Sequence, residues 1–93
     1  FPETYRDISI LVGRQVTSQQ VADLILKTGS PLIRKVKLYD HFEGKKIQAD
    51  KKSLTFALSF QSAERTLSDE EVTPLFERII KSLESELGAS LRE

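Results

Sequence analysis

Residues 52–71, KSLTFALSFQSAERTLSDEE, contain a strand, a turn and the start of a helix in one uninterrupted reading. Leu54, Phe56, Leu58 and Phe60 alternate with Ser53, Thr55, Ala57, Ser59 and Gln61. Side chains of a strand point to opposite faces in turn, so the large apolar groups share one face and the small or polar ones share the other. A strand this asymmetric belongs to an antiparallel sheet covered on one side, because strands of a doubly covered parallel sheet read as continuous apolar runs. Ser68-x-x-Glu71 then has the spacing of a capping box, and Leu67 before the cap can pack on Val72 as a hydrophobic staple.

The flanking segments complete a pattern. Toward the N-terminus, Ile8, Ile10 and Val12 alternate with Asp7, Ser9 and Leu11, a first strand. Thr17-x-x-Gln20 opens a helix whose apolar face is Val21, Leu24 and Ile25, and Gly29 supplies its stop. Residues 32–42 read as a second extended run, with Val36 and Leu38 facing the helices and Lys35, Lys37 and Tyr39 the open side. Asp40 and Phe42 share the parity of Leu38, which conflicts with burying a carboxylate. Either the strand ends by Tyr39 or a bulge switches the faces there. Residues 43–51 form a polar hairpin loop around Gly44, leading into the third strand.

A second helix is expected from Asp69 to Leu87, striped by Val72, Phe76, Ile79, Ile80, Leu83 and Leu87. Pro74 falls at its sixth position, where the ring meets the carbonyl four residues back, so a kink or a short 3₁₀ turn is expected. Gly88 ends this helix, and residues 89–93 make a closing strand. The order β-α-β-β-α-β folds as two right-handed split βαβ units. The fold class is α+β, ferredoxin-like: a four-stranded antiparallel sheet with both helices on one face. That architecture hosts many functions and chooses none.

Composition narrows the chemistry. Ninety-three residues make one domain, 1–93, large enough to bury a core without staples. With no Cys and a single His, disulfides, thiolate nucleophiles and a zinc site of ordinary composition are set aside. No run approaches the roughly 18 apolar residues of a membrane span, and the absence of Met suggests a piece of a longer protein. The net charge of zero is unevenly placed: residues 34–52 carry a balance of +4 and residues 64–86 one of −4. The basic stretch suits a polyanion.

Enzyme readings find little support. Acylphosphatases share this strand order but use a catalytic Asn, and the chain has no Asn. Ser53 has no evident base, His41 has no evident partner, and the four glycines at 13, 29, 44 and 88 form no phosphate loop. Binding fares better. The open face offers small side chains on the third strand, Lys37 and Tyr39 on the second, and a lysine-rich hairpin beside them, a combination suited to RNA. An RNA-recognition-motif domain is not indicated, because Phe56 and Phe60 have core parity.

Five fragments in order, FPETYRDISILV, LYDHFEG, KKSLTFALSFQS, ERTLSDEEV and GASLRE, together span the chain. They resemble the ferredoxin-fold anticodon-binding domain at the C-terminus of the bacterial phenylalanyl-tRNA synthetase β chain. The resemblance implies a non-catalytic, cytoplasmic module that holds the anticodon region of tRNA(Phe) while another subunit aminoacylates the 3′ end. Partners implied are the rest of the β chain and the catalytic α subunit in an α2β2 enzyme, with no membrane and no DNA. ATP and Mg would serve the parent enzyme, and the domain itself needs no cofactor.

The family's contacts with the first anticodon base map onto Asp40, Phe42 and Ser53. A carboxylate accepts from a guanine Watson–Crick edge, a ring stacks on the base, and a small Ser lets the base approach. Phe42 lacks the hydroxyl of the Tyr often found in the family, so stacking is retained without that hydrogen bond. Lys37, Lys45, Lys46, Lys51 and Lys52 are expected to meet phosphates, with Tyr39 beside them. Arg6, Asp7, Arg65 and Thr66 also match the family pattern and read as structural. The competing hypothesis is a protein-interaction or small-ligand regulatory domain of the same fold.

Overall fold

The computed structural model describes residues 1–44 and 47–92. The chain runs β1 (Thr4–Gly13), α1 (Ser18–Gly29), β2 (Ile33–Phe42), β3 (Lys51–Phe60), α2 (Asp69–Leu87) and β4 (Ser90–Leu91). The strands form one sheet in the order β2-β3-β1-β4, with every neighbouring pair antiparallel. This is the expected ferredoxin-like arrangement, with β3 and β1 at its centre.

The alternation in β3 decides what is inside. Leu54, Phe56, Leu58 and Phe60 are buried with Ile8, Ile10 and Val12 of β1. Val21 and Ile25 of α1 and Val72, Ile79 and Leu83 of α2 join the same cluster. Full burial stabilises by about 1.5–3 kcal/mol for each large side chain, so β3 anchors the sheet under both helices.

Both helices start as their capping boxes dictate. Thr17 accepts from the Gln20 N–H and Ser68 from the Glu71 N–H, and each Gln or Glu side chain returns a bond to the cap backbone. Leu67 and Val72 are both buried, as the staple requires. Gly88 closes α2 in the left-handed region, φ +66°, and its N–H donates to the Leu83 carbonyl. Gly29 has a different role: it remains helical, and a Cβ there would meet Ile33 Cγ2 at 2.8 Å, so helix and strand approach too closely for any side chain.

Two expectations are corrected. Pro74 produces no 3₁₀ turn, since α2 is α-helical throughout with Pro74 inside it. The clash of its ring falls on the Glu70 carbonyl in the first turn, where Glu70 and Pro74 are both exposed and the backbone can tilt toward water. The closing strand expected over residues 89–93 is Ser90–Leu91, with Ser90 opposite Leu11 and Leu91 opposite Ile10, and Glu93 lies outside the described residues.

Candidate nucleic-acid interface

The face of the sheet away from the helices is set by register. In β2, Leu38 lies opposite Phe56, but Asp40, two residues on, lies opposite Thr55, the very next residue of β3. Tyr39 is therefore the extra residue of a β-bulge, which reverses the parity of everything after it. Phe42 follows opposite Ser53. Because Thr55 and Ser53 point away from the core, Asp40 and Phe42 do so as well. Of the two readings left open by the sequence, the bulge is the one realised.

The strands thus bring Asp40, Phe42 and Ser53 together at the hairpin end of the open face. Phe42 is half exposed, an aromatic surface offered to solvent. Asp40 Oδ1 accepts from the His41 N–H at 3.0 Å, which orients the carboxylate at the bulge. Lys37 pairs with Ala57 and is exposed on the same face. Tyr39 is exposed too, and its hydroxyl titrates above the ordinary tyrosine value, first through loss of hydration and next through the Asp7 carboxylate. Lys51, opposite Gly13, has the parity of Ser53, whereas Lys52, opposite Val12, has the parity of the core face. Lys45 and Lys46 lie outside the described residues.

Ser53 differs from expectation. It is only 1% exposed, although it faces away from the core. The reason is Arg92, just beyond β4. The Arg92 N–H donates to the Ser9 carbonyl at 2.9 Å, which continues the β1–β4 pairing. Its side chain crosses the face, Nη1 donates to Ser53 Oγ at 3.1 Å, and Cζ sits 5.8 Å from the Phe42 ring centroid. That is within cation–π range. Arg92 is not among the site residues expected from the sequence. The available signal was the alternation of Ser90, Leu91 and Arg92 in a strand bordering β1.

The hairpin is tied down from β1. The Arg14 N–H donates to Asp50 O at 3.2 Å, its Nη1 to Ala49 O at 3.3 Å, and its Nε to Glu43 Oε1 at 2.8 Å. Glu43 Oε2 meets His41 Nε2 at 3.0 Å. Hydrogen bonding from Arg14 holds the Glu43 carboxyl below the usual carboxylate range. The other end of the face is acidic and occupied: Glu3 accepts from Ser59 Oγ and, at 3.1 Å, from Tyr5 Oη. The Ser59 bond is the main reason that the Glu3 carboxyl titrates below its ordinary range. Phosphates are therefore favoured at the hairpin end, near Lys51 and Arg92, and repelled at the end bearing Glu3, while Lys37 and Asp7 lie between the two ends, on either side of Ala57.

Arg6 and Arg65 are structural, as expected. Arg6 pairs with Asp69 at 3.0 Å, and Arg65 pairs with Glu71, which in turn completes the α2 cap. Among the described residues no helix is long and apolar enough to cross a membrane.

This fold, with a polar, aromatic and basic patch at one end of an uncovered sheet face, defines a class. Residues 1–92 match the ferredoxin-fold anticodon binding domain, and the chain belongs to that family. Its similarity to individual proteins runs across its whole length. It is 44% identical over 92 residues to the phenylalanine–tRNA ligase β subunit of Halalkalibacterium halodurans, covering 99% of this chain and 11% of that protein. The β subunit of Bacillus cereus is 38% identical over 93 residues, covering 100% of this chain and 12% of that protein. That of Streptococcus pyogenes serotype M3 is 41% identical over 92 residues, covering 99% and 12%. The chain thus spans about an eighth of the length of the relatives it matches.

Proposed function

We propose that this chain is the anticodon-binding module of a phenylalanine–tRNA ligase β subunit, residues 1–93 forming one domain at the C-terminal end of a longer cytoplasmic protein. Its ligand is the anticodon loop of tRNA(Phe). The observation that carries the reading is the bulge at Tyr39, which turns Asp40 and Phe42 outward beside Ser53. A base stacks on Phe42 while its edge donates to Asp40. Lys37 and Lys51 neutralise phosphates, with Lys45 and Lys46 as further contacts. The module does no chemistry itself. It positions the tRNA while a catalytic α subunit, in an α2β2 assembly, charges the 3′ end.

Among the described residues no three carboxylate or imidazole groups converge as a cation site.

Titration with labelled tRNA(Phe) at two salt concentrations tests the proposal, with the full-length protein run beside the fragment. Four phosphate contacts give a weakening of roughly 50-fold between about 50 and about 200 mM salt. A regulatory domain of the same fold would show no salt-dependent RNA binding and would dimerise through its sheet edges instead.

A further inference from the structure

We infer that Glu3 sets the limit of the RNA footprint: its carboxylate lies across Ser59 and closes the far end of the open face, so the module takes a loop at the hairpin end and not a strand running over the whole sheet. The inference rests on the function proposed above. Its starting point is a likeness between the two ends of the face. At the hairpin end Phe42 stands opposite Ser53, with Lys51 two residues before it. At the other end Lys35 and Tyr5 stand opposite Ser59 on its two sides. Tyr5 is 66% exposed, and Lys35 is exposed too. An exposed ring, a small hydroxyl residue and a lysine are the ingredients of a single-strand platform, on which any base can stack.

The two ends lie within reach of one strand. Ser59 is six residues beyond Ser53 in β3, which is about 20 Å at the rise of an extended chain. The path between them passes Lys37, Ala57 and Asp7. Asp7 borders that path and does not cross it, since Ala57 beside it is partly exposed. Ser59, by contrast, is only 4% exposed. Glu3 is what covers it: Ser59 Oγ donates to one carboxylate oxygen and Tyr5 Oη, at 3.1 Å, to the other.

The cover is held in place. Glu3 sits between two anchored residues, because Gln61 Nε2 donates to the Phe1 carbonyl and Thr4 opens the β1–β3 pairing opposite Phe60. The Ser59 hydroxyl first, then the Tyr5 hydroxyl and the Lys35 charge, keep the carboxyl ionised. A phosphate reaching this row therefore meets a fixed negative charge, and the lysine that would attract it already stands beside that charge. The Tyr5 ring is tied through its hydroxyl to the same carboxylate. Building a repulsion against the wrong partner adds specificity as surely as adding contacts to the right one.

The test measures two RNAs against the full-length protein that carries this chain, the anticodon stem-loop of tRNA(Phe) and an unstructured twelve-nucleotide oligouridylate. At about 150 mM salt, screening acts over about 8 Å, well short of the distance between the two ends, so a charge removed at residue 3 is not felt at Phe42. Glu3→Ala should tighten oligouridylate binding by about fivefold or more, the effect of one added base stack, and stem-loop binding by less than about twofold. Glu3→Gln removes the charge but leaves a group of the same size, and should show a smaller gain of the same kind. Adding Tyr5→Ala to Glu3→Ala should erase the gain, because the ring is what the extra base meets. Thermal unfolding of each variant confirms that it is folded.

If the folded Glu3 variants bind oligouridylate as wild type does, Glu3 limits nothing and the inference is overturned. An equal gain for both RNAs would overturn it as well, since that is a change of overall charge and not the opening of a row. Either result leaves the anticodon site standing so long as wild type binds the stem-loop. A wild type that fails to bind it would overturn the proposed function, and with it this inference.

Discussion

Phe42→Ala separates the ring's part in binding from its part in folding. The ring is 50% exposed, so about half of a phenylalanine's burial is at stake. Full burial contributes about 1.5–3 kcal/mol, which puts the folding cost of the truncation near 1 kcal/mol. Removal of a stacking platform for one base costs about 1–3 kcal/mol, or roughly 5- to 150-fold in Kd. Binding should therefore suffer at least as much as stability. Phe42→Leu sharpens the contrast, because it keeps apolar bulk against the sheet but offers no π-face. We expect it to melt close to wild type and still lose most of the affinity. The assay is fluorescence titration of labelled tRNA(Phe), with thermal unfolding of each variant as the control. A folded Phe42→Ala protein that binds as wild type does would refute the stacking assignment. Phe42→Leu binding at full strength would refute the need for an aromatic plane.

Two further predictions concern the scaffold. Gly88 sits at φ +66° with open space around it, so Gly88→Ala adds left-handed strain and no clash. It should cost about 1 kcal/mol, seen as a fall in Tm of about 4–8 °C. For pH, Glu71 is held below its ordinary range first by hydrogen bonding to Arg65, and Glu43 first by Arg14. Lowered carboxyl values stabilise the fold above the unfolded value of about 4.3 and lose that effect as pH falls through the folded values. Urea midpoints should thus drop between about pH 5 and about pH 3, and Glu71→Gln should flatten part of the drop.

Much of this structure is legible in the sequence because local rules and burial agree. The period-two pattern of β3, both capping boxes and the Leu67 to Val72 staple identify themselves and fold as read. Asp40 shows where such reading stops. Its parity was a contradiction in the alternation, and only strand pairing reveals that Tyr39 is the surplus residue that removes it. A bulge is a compromise between two strands, so no single strand encodes it.

The covering of Ser53 was out of reach for a related reason. Arg92 lies 39 positions away, and the contact exists because β4 borders β1 and lets a long side chain cross two strands. The occupation of the far end by Glu3 depends likewise on a strand 56 positions distant. The short 3₁₀ turn expected at Pro74 is absent because the ring meets the Glu70 carbonyl, a first-turn group that is exposed and has room to yield.

Amide chemical-shift mapping of the chain during titration with the anticodon stem-loop of tRNA(Phe) tests the central claim most directly. The account predicts that the largest changes fall on Asp40, Phe42, Ser53 and Arg92, with α1 and α2 nearly silent. Changes concentrated on the outer faces of the helices, with those four amides unmoved, would contradict it.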